Sequence, residues 1–332
     1  MRAVVFASAA EHVGTGHVMR SSVLVSELQD LGVATVFLGE GLKRALGPSS
    51  HLNPDCLVEL SPEKEWGATR QVIAGYSPDF AVLDGYVYQS RVFRFLEEMR
   101  VPYLLFDDNL EIQAPRPFGI VNQNTANLES HYASLYPSAK LFLGPEYALI
   151  RRQFREAAES NDKHHSTVFV SFGGADVLGL TFPIVQALSS AGVVCQVAIG
   201  PHVSSRESVA NKCMTLEGVQ LVKETHYASA LASAPLAVLA AGSSVWEAAF
   251  LRVPTVGIVV APNQAALAAY AQSKGHLLEV FEPSTLLATR CADYVRFVLR
   301  AGVPLPGAPS DSEVGSKSLA TEILAALAAY GS

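Results

Sequence analysis

The stretch Ala3–Leu31, AVVFASAAEHVGTGHVMRSSVLVSELQDL, decides the fold. Its first four residues, Ala3-Val4-Val5-Phe6, form a short unbroken apolar run of the kind a strand buried on both faces carries. Gly14 and Gly16 then punctuate the chain, and from Met19 to Leu31 the apolar residues recur at helical spacing. Strand, glycine turn and helix in that order open a βαβ unit. The apolar run is too short for a signal peptide and Glu11 follows it closely, so it reads as a first strand.

The same alternation continues outward from this unit. Ala34–Leu38, Ala81–Leu83 and Tyr103–Phe106 read as further strands, with a helix at Arg91–Glu98. After Gly144-Pro145 the segment from Ile150 to Ser166 is charged and polar, which places a boundary there. Beyond it the pattern resumes, with strands at Val168–Phe172, Val193–Ile199, Leu236–Leu239 and Thr255–Val260. Helices are expected near Thr181–Ser190, Ser244–Leu251, Gln264–Lys274, Thr285–Leu299 and Lys317–Ala329. The expected organisation is a Rossmann-like domain over residues 1–148, a linker over 149–165, and a second Rossmann-like domain over 166–332 that ends in a helix. A chain of 332 residues fits two domains, since single cores stop growing at roughly 250–300 residues.

Composition narrows the function. The chain is 49% apolar and 17% charged, too hydrophobic for disorder. Its formal charge of −7 argues against a surface built to neutralise nucleic-acid phosphates. Cys56, Cys195, Cys213 and Cys291 are far apart with no Cys-x-x-Cys pair, so neither a zinc site nor a disulfide framework is expected. The most apolar stretches are interrupted by Ser, Pro or Asn, so no membrane span is expected and the protein is placed in the cytoplasm. There is no P-loop, no His-Glu-x-x-His and no Gly-x-Ser-x-Gly, so ATPase, zinc-protease and serine-hydrolase readings lose support.

In doubly wound sheets ligands bind beyond the carboxyl ends of the strands, so the loops there hold the candidates. Gly14-Thr15-Gly16-His17-Val18-Met19-Arg20 lets the backbone approach an anion and sets His17 at a helix start, where the neutral base form is favoured. It lacks the third glycine of a dinucleotide fingerprint, since Met19 stands there. Asp84-Gly85-Tyr86 and Asp107-Asp108-Asn109 put carboxylates at strand ends, where they act as acid or base, position a hydroxyl, or simply cap the next element. Asn122-Gln123-Asn124 shares that position and that ambiguity. Ser171-Phe172-Gly173-Gly174-Ala175-Asp176 is either a close approach of backbone to a ligand or a plain βα turn. Gly242-Ser243-Ser244-Val245-Trp246-Glu247, with Asn263-Gln264 after the next strand, offers N–H and hydroxyl donors for a diphosphate and a carboxylate for ribose hydroxyls. Ser244 and Glu247 also have the spacing of a capping box, and both readings stand.

Taken in order, the Gly14–Arg20 motif, Asp84-x-Tyr86, Asp107-Asp108, Asn122-Gln123-Asn124, Leu143-Gly144-Pro145-x-Tyr147, Ser171-Phe172-Gly173-Gly174-x-Asp176, Trp246-Glu247 and Asn263-Gln264 resemble one family. It is the UDP-2,4-diacetamido-2,4,6-trideoxy-β-L-altropyranose hydrolase family of pseudaminic-acid biosynthesis. The resemblance implies an α/β GT-B-like fold, two doubly wound Rossmann-type domains facing across a cleft, related to the peptidoglycan-pathway N-acetylglucosaminyltransferase. It implies cleavage of a UDP-sugar to free sugar and UDP with inversion at the anomeric carbon, without metal or cofactor. His17 is then the catalytic histidine acting on water, with Tyr86 near the sugar, Ser243 and Ser244 at the diphosphate, Glu247 at the ribose, and Asn263 and Gln264 on the sugar or its phosphate. Three places depart from the family pattern: Ala175-Asp176-Val177 replaces Ser-Asp-Pro, Ala240-Ala241 precede Gly242, and Arg252 stands before Val253-Pro254.

The expected substrate-binding set is Gly14, Gly16, Arg20, Asp84, Tyr86, Gly173, Gly174, Asp176, Gly242, Ser243, Ser244, Glu247, Asn263 and Gln264, around a nucleotide-sugar held between the halves. Two other readings use the same residues. In a GT-B glycosyltransferase His17 deprotonates an acceptor, and in a nucleotide-sugar binding protein there is no turnover.

Overall fold

The computed structural model describes residues 1–9, 15–47, 52–61, 64–85, 89–108, 110, 114–125, 127–159, 167–301, 314–315 and 317–330. The chain forms two compact units, Met1–Leu149 with Gly315–Ser332, and Ile150–Val314.

In the first unit the strands are β1 (Arg2–Ala7), β2 (Ala34–Gly39), β3 (Leu57–Glu59), β4 (Phe80–Asp84), β5 (Tyr103–Phe106), β6 (Gly119–Asn122) and β7 (Lys140–Leu143). They pair in parallel in the order β3-β2-β1-β4-β5-β6-β7. The helices are α1 (Gly16–Asp30), α2 (Leu42–Leu46), α3 (Trp66–Tyr76), α4 (Gln89–Glu98) and α5 (Glu129–Leu135). β1 is central because every residue from Ala3 to Ala7 is buried, one set facing the core around Val25 and Phe37 and the other facing Ile73 and Leu96. Gly39 is required at the end of β2 by packing, since a Cβ there would stand 1.7 Å from the Ala7 carbonyl oxygen.

The second unit repeats this plan. Its strands β8 (Val168–Ser171), β9 (Cys195–Ala198), β10 (Val219–Leu221), β11 (Ala237–Ala240), β12 (Thr255–Ile258) and β13 (Glu279–Phe281) form a parallel sheet in the order β10-β9-β8-β11-β12-β13. Its helices are α6 (Arg152–Glu159), α7 (Thr181–Ser190), α8 (Arg206–Met214), α9 (Tyr227–Ser233), α10 (Ser244–Phe250), α11 (Ala265–Ser273) and α12 (Leu287–Arg300). Each sheet reverses its strand order once, between β1 and β4 in the first and between β8 and β11 in the second. At such a switch point the loops diverge and leave a crevice for a ligand. The fold class is therefore the expected one, α/β with two doubly wound parallel sheets.

Two boundaries differ from the sequence reading. The charged segment expected to be a linker over 149–165 contains α6, whose Phe154 is wholly buried and packs edge-on to Tyr227 of α9. A single apolar anchor among charged residues carries too little periodicity to reveal a helix. The last helix, α13 (Leu319–Tyr330), was expected to close the second domain. It belongs to the first unit, where Leu319, Ala320 and Ile323 join the core beneath α1. Its Ala/Leu pattern announces a buried face without saying against which sheet. Among the described residues no helix is long and apolar enough to cross a membrane.

Candidate functional site

The switch point of the first sheet carries a buried charge network. β1 leads into α1, whose second residue is His17, and β4 ends on Asp84. The two meet across the crevice, with His17 Nδ1 2.7 Å from Asp84 Oδ1. An ionised carboxylate only accepts hydrogen bonds, so this contact puts the proton on Nδ1 and the lone pair on Nε2. Asp84 takes three more donors: Arg20 Nε at 2.7 Å and Ser21 Oγ at 2.7 Å on Oδ2, and an Arg20 terminal nitrogen at 2.6 Å on Oδ1. The spacing of His17, Arg20 and Ser21 puts all three on one side of the first helical turn.

Arg20 also pairs end-on with Asp108, which follows β5, at 2.9 and 2.8 Å. Its guanidinium lies over the Phe106 ring, 4.8 Å from the centroid. Asn124 Nδ2 donates to Asp108 Oδ1 at 2.8 Å, and the Asn122 side chain accepts from the Asn124 N–H at 3.0 Å. Burial on its own would raise the Asp84 carboxyl, but the Arg20 guanidinium and His17 prevail and hold it far below the usual carboxylate range. Burial likewise opposes the charge on Arg20, yet Asp108 and Asp84 keep it firmly cationic. The result is a histidine oriented by a fixed anion, an arrangement suited to taking a proton on Nε2.

A second cluster occupies the switch point of the other sheet. Glu247 in α10 is buried and accepts two parallel bonds from Arg151, at 2.6 and 2.9 Å. The Arg151 guanidinium lies over the Phe154 ring, 4.7 Å from its centroid, and 5.8 Å from that of Tyr227. Burial, then the Glu247 charge, pushes the Tyr227 hydroxyl up, opposed by Ser171 at the end of β8, Arg151, and Ser244 at the start of α10. The capping box expected of Ser244 and Glu247 does not form. Ser243 is the residue before the helix, without a side-chain cap, and Glu247 spends its oxygens on Arg151 instead.

The remaining expected residues are placed as follows. Gly14 and Tyr86 lie outside the described residues. Gly16 opens α1 with nothing within 4 Å of where a Cβ would stand, space that lets a ligand approach backbone. Arg20 and Asp84, expected to touch substrate, are turned inward on each other. Asp176 caps α7, accepting from the Leu180 and Thr181 N–H groups at 2.8 and 2.9 Å, which is the plain turn reading. Gly173 has φ +75°, and a Cβ on Gly200 would stand 2.2 and 2.4 Å from the Gly173 and Gly174 carbonyl oxygens, so this turn packs against the next one. Gln264 accepts from the Val260 N–H at 2.9 Å and brings its amide beside Gly242, while Asn263 is exposed. Sequence reasoning missed Ser21, Arg151 and Tyr227. Ser21 has a local signal, being one residue past Arg20 on the same helical turn. Arg151 and Tyr227 have none, because their partners come from distant parts of the chain. Among the described residues no group of three or more His, Cys, Asp or Glu is arranged to hold a metal ion.

No protein-family model matches the chain. Over 285 residues it is 23% identical to the UDP-2,4-diacetamido-2,4,6-trideoxy-beta-L-altropyranose hydrolase of Campylobacter jejuni, covering 84% of this chain and 99% of that one. The chain is similar to a UDP-sugar hydrolase. In three dimensions it matches a putative UDP-N-acetylglucosamine 2-epimerase from Listeria monocytogenes with a TM-score of 0.69 at 12% identity, over 99% of this chain and 96% of the other. MurG of Acinetobacter baumannii matches with a TM-score of 0.61 at 14% identity, over 99% and 100%. At these identities the structures establish the fold, which is GT-B-like.

Proposed function

We propose that this protein hydrolyses a UDP-activated deoxy-amino sugar to the free sugar and UDP, with inversion at the anomeric carbon. The observation that carries the reading is the His17–Asp84 pair at the first switch point, 2.7 Å between Nδ1 and Oδ1, a contact with a carboxylate that favours the Nδ1–H tautomer. His17 Nε2 removes a proton from a water molecule while the water oxygen forms its bond to C1. The bond from C1 to the diphosphate oxygen breaks on the opposite face, and its electron pair leaves with UDP. Asp84 holds the imidazole in place and offsets the charge it gains.

In the second unit the nucleotide is held at the switch point of its own sheet. An anion at the Gly242-Ser243-Ser244 turn meets the Ser243 and Ser244 N–H groups and hydroxyls, which support the leaving diphosphate. Glu247, held by Arg151, accepts from the ribose hydroxyls through its remaining lone pairs. Gln264 beside Gly242, together with Asn263, faces the sugar or its phosphate. The similarity to the Campylobacter jejuni enzyme supports a UDP-sugar as the substrate class and pseudaminic-acid-type biosynthesis as its setting.

The test is incubation with a panel of UDP-sugars, without acceptor, followed by NMR. Free sugar of inverted anomeric configuration, absent with His17→Ala, is the expected result. Release of UDP only when an acceptor is added makes the protein a transferase, and binding without turnover makes it a binding protein; either overturns the hydrolase reading.

A further inference from the structure

We infer that Arg20 is a positioning residue that never touches substrate, and that Asp108 supplies, through Arg20, the negative charge that makes protonation of His17 favourable. The inference rests on the proposed role of His17 as base.

Four of the five N–H bonds of Arg20 are spent inside the network, two on Asp84 and two on Asp108. One face of the guanidinium is closed by Phe106. The terminal nitrogen nearest His17 Nδ1, at 3.1 Å, already has both hydrogens directed at Asp84 Oδ1 and Asp108 Oδ2. It therefore acts on the imidazole through its charge and by holding Asp84, and a substrate oxygen finds no strong donor on it.

The charges then decide what the pair does. Among the described residues, Asp84 from β4 and Arg20 from α1 meet the imidazole, and Asp108 after β5 is joined to it through Arg20. Asp107 lies buried just before them, its backbone carbonyl taken by the Tyr132 hydroxyl at 2.6 Å. The charges of Arg20 and Asp84 offset each other. Asp108 adds one negative charge to that pair, and an imidazolium would offset it. Asp108 thus favours the state reached when the water has given up its proton. Asn124 on Asp108 Oδ1 fixes the orientation of this second acid.

The experiment compares Asp108→Asn, Arg20→Gln, Arg20→Lys and the double variant Asp108→Asn/Arg20→Gln. The readouts are the pH profile of kcat/KM and the pH dependence of the His17 imidazole signals by NMR in substrate-free protein. Charges at this range move a titration by about 1–3 units, so Asp108→Asn is expected to move the acid limb down by about one unit. Arg20→Gln is expected to move it up, the double variant to bring it back towards the native position, and Arg20→Lys to restore the limb but only part of kcat. Asp108→Asn keeps the buried Arg20–Asp84 pair and decides the matter alone if Arg20→Gln does not fold. An acid limb and imidazole signals that stay put in Asp108→Asn overturn the inference, as does Arg20→Lys raising KM at unchanged kcat. The imidazole signals need no turnover. Displaced signals in a protein that hydrolyses no UDP-sugar would refute the proposed reaction while leaving the charge network as inferred.

Discussion

Each sheet has a buried carboxylate–guanidinium pair at its switch point, yet the two are built for different work. Asp84 is wholly enclosed, takes four donors and shares its arginine with a second acid and a histidine. Glu247 takes one arginine, and that arginine is walled by aromatic rings and 28% exposed. The first network is joined to a group that can change protonation, so its charge balance matters. The second is a closed neutral pair beside hydroxyls, which suits holding a polar ligand without chemistry. The same topology thus supplies two crevices, and what distinguishes them is whether a titratable ring is wired to the buried anion.

The largest expected effect tests that division directly. Asp84→Asn preserves shape but lets the side chain donate to His17, favouring the wrong imidazole tautomer, and kcat should fall about 10³–10⁴-fold. Glu247→Gln should act mainly on KM, by about tenfold, the scale of one charge-assisted hydrogen bond. Steady-state kinetics on the released UDP would break the comparison if both variants lost kcat alike.

Stability should divide the same way. Arg20→Met strands two acids, one of them fully buried, and is expected to cost about 3–5 kcal/mol in urea unfolding. Arg151→Met strands one acid beside partly exposed space and should cost about 1–3 kcal/mol. Equal losses would mean that solvent reaches both pairs alike. Acid sharpens the contrast further. Asp84 is held below its ordinary value of 3.8, so its contribution is fully present above that pH and is lost as pH falls toward its folded value. The advantage of the native protein over Asp84→Asn should accordingly be constant from pH 7 down to about 5 and shrink below about 4, measured by thermal melts across pH.

The division was partly legible in the chain itself. His17 and Asp84 stood out because strand-end position is a local property: an apolar run, a glycine or an aspartate, and then a helical period. Their pairing was not, since β1 and β4 become neighbours only once the sheet order is set, 67 residues apart in the chain. The pattern places Arg20 on the same helical turn as His17 but does not show that this face is buried against Asp84 and Asp108. Arg151 and Tyr227 escaped altogether. β3, β10 and β13, each of three residues with partly exposed side chains, also left no apolar run to read. β6 is buried but only four residues long and opens on Gly119, and the edge strand β7 opens on the exposed Lys140.

The smallest expected effect separates ring from hydroxyl at Tyr227. Its ring packs edge-on to Phe154 and Phe169, at 5.9 and 5.0 Å, and lies beside the Arg151 guanidinium. Tyr227→Phe keeps all of that and removes only the hydroxyl, which lies near Ser171 and Ser244. Folding should change by about 1 kcal/mol, the net worth of a buried hydrogen bond. If Ser244 meets the diphosphate, losing the neighbouring Tyr227 hydroxyl removes a polar group that orients it, and UDP affinity measured by calorimetry should fall about threefold to tenfold, again near one hydrogen bond. Unchanged affinity would assign Tyr227 wholly to the packing of α9 and Arg151. In that case the second crevice would owe its grip to the Gly242–Ser244 backbone and Glu247 alone, and its contrast with the hydroxyl- and charge-linked first crevice would be sharper still.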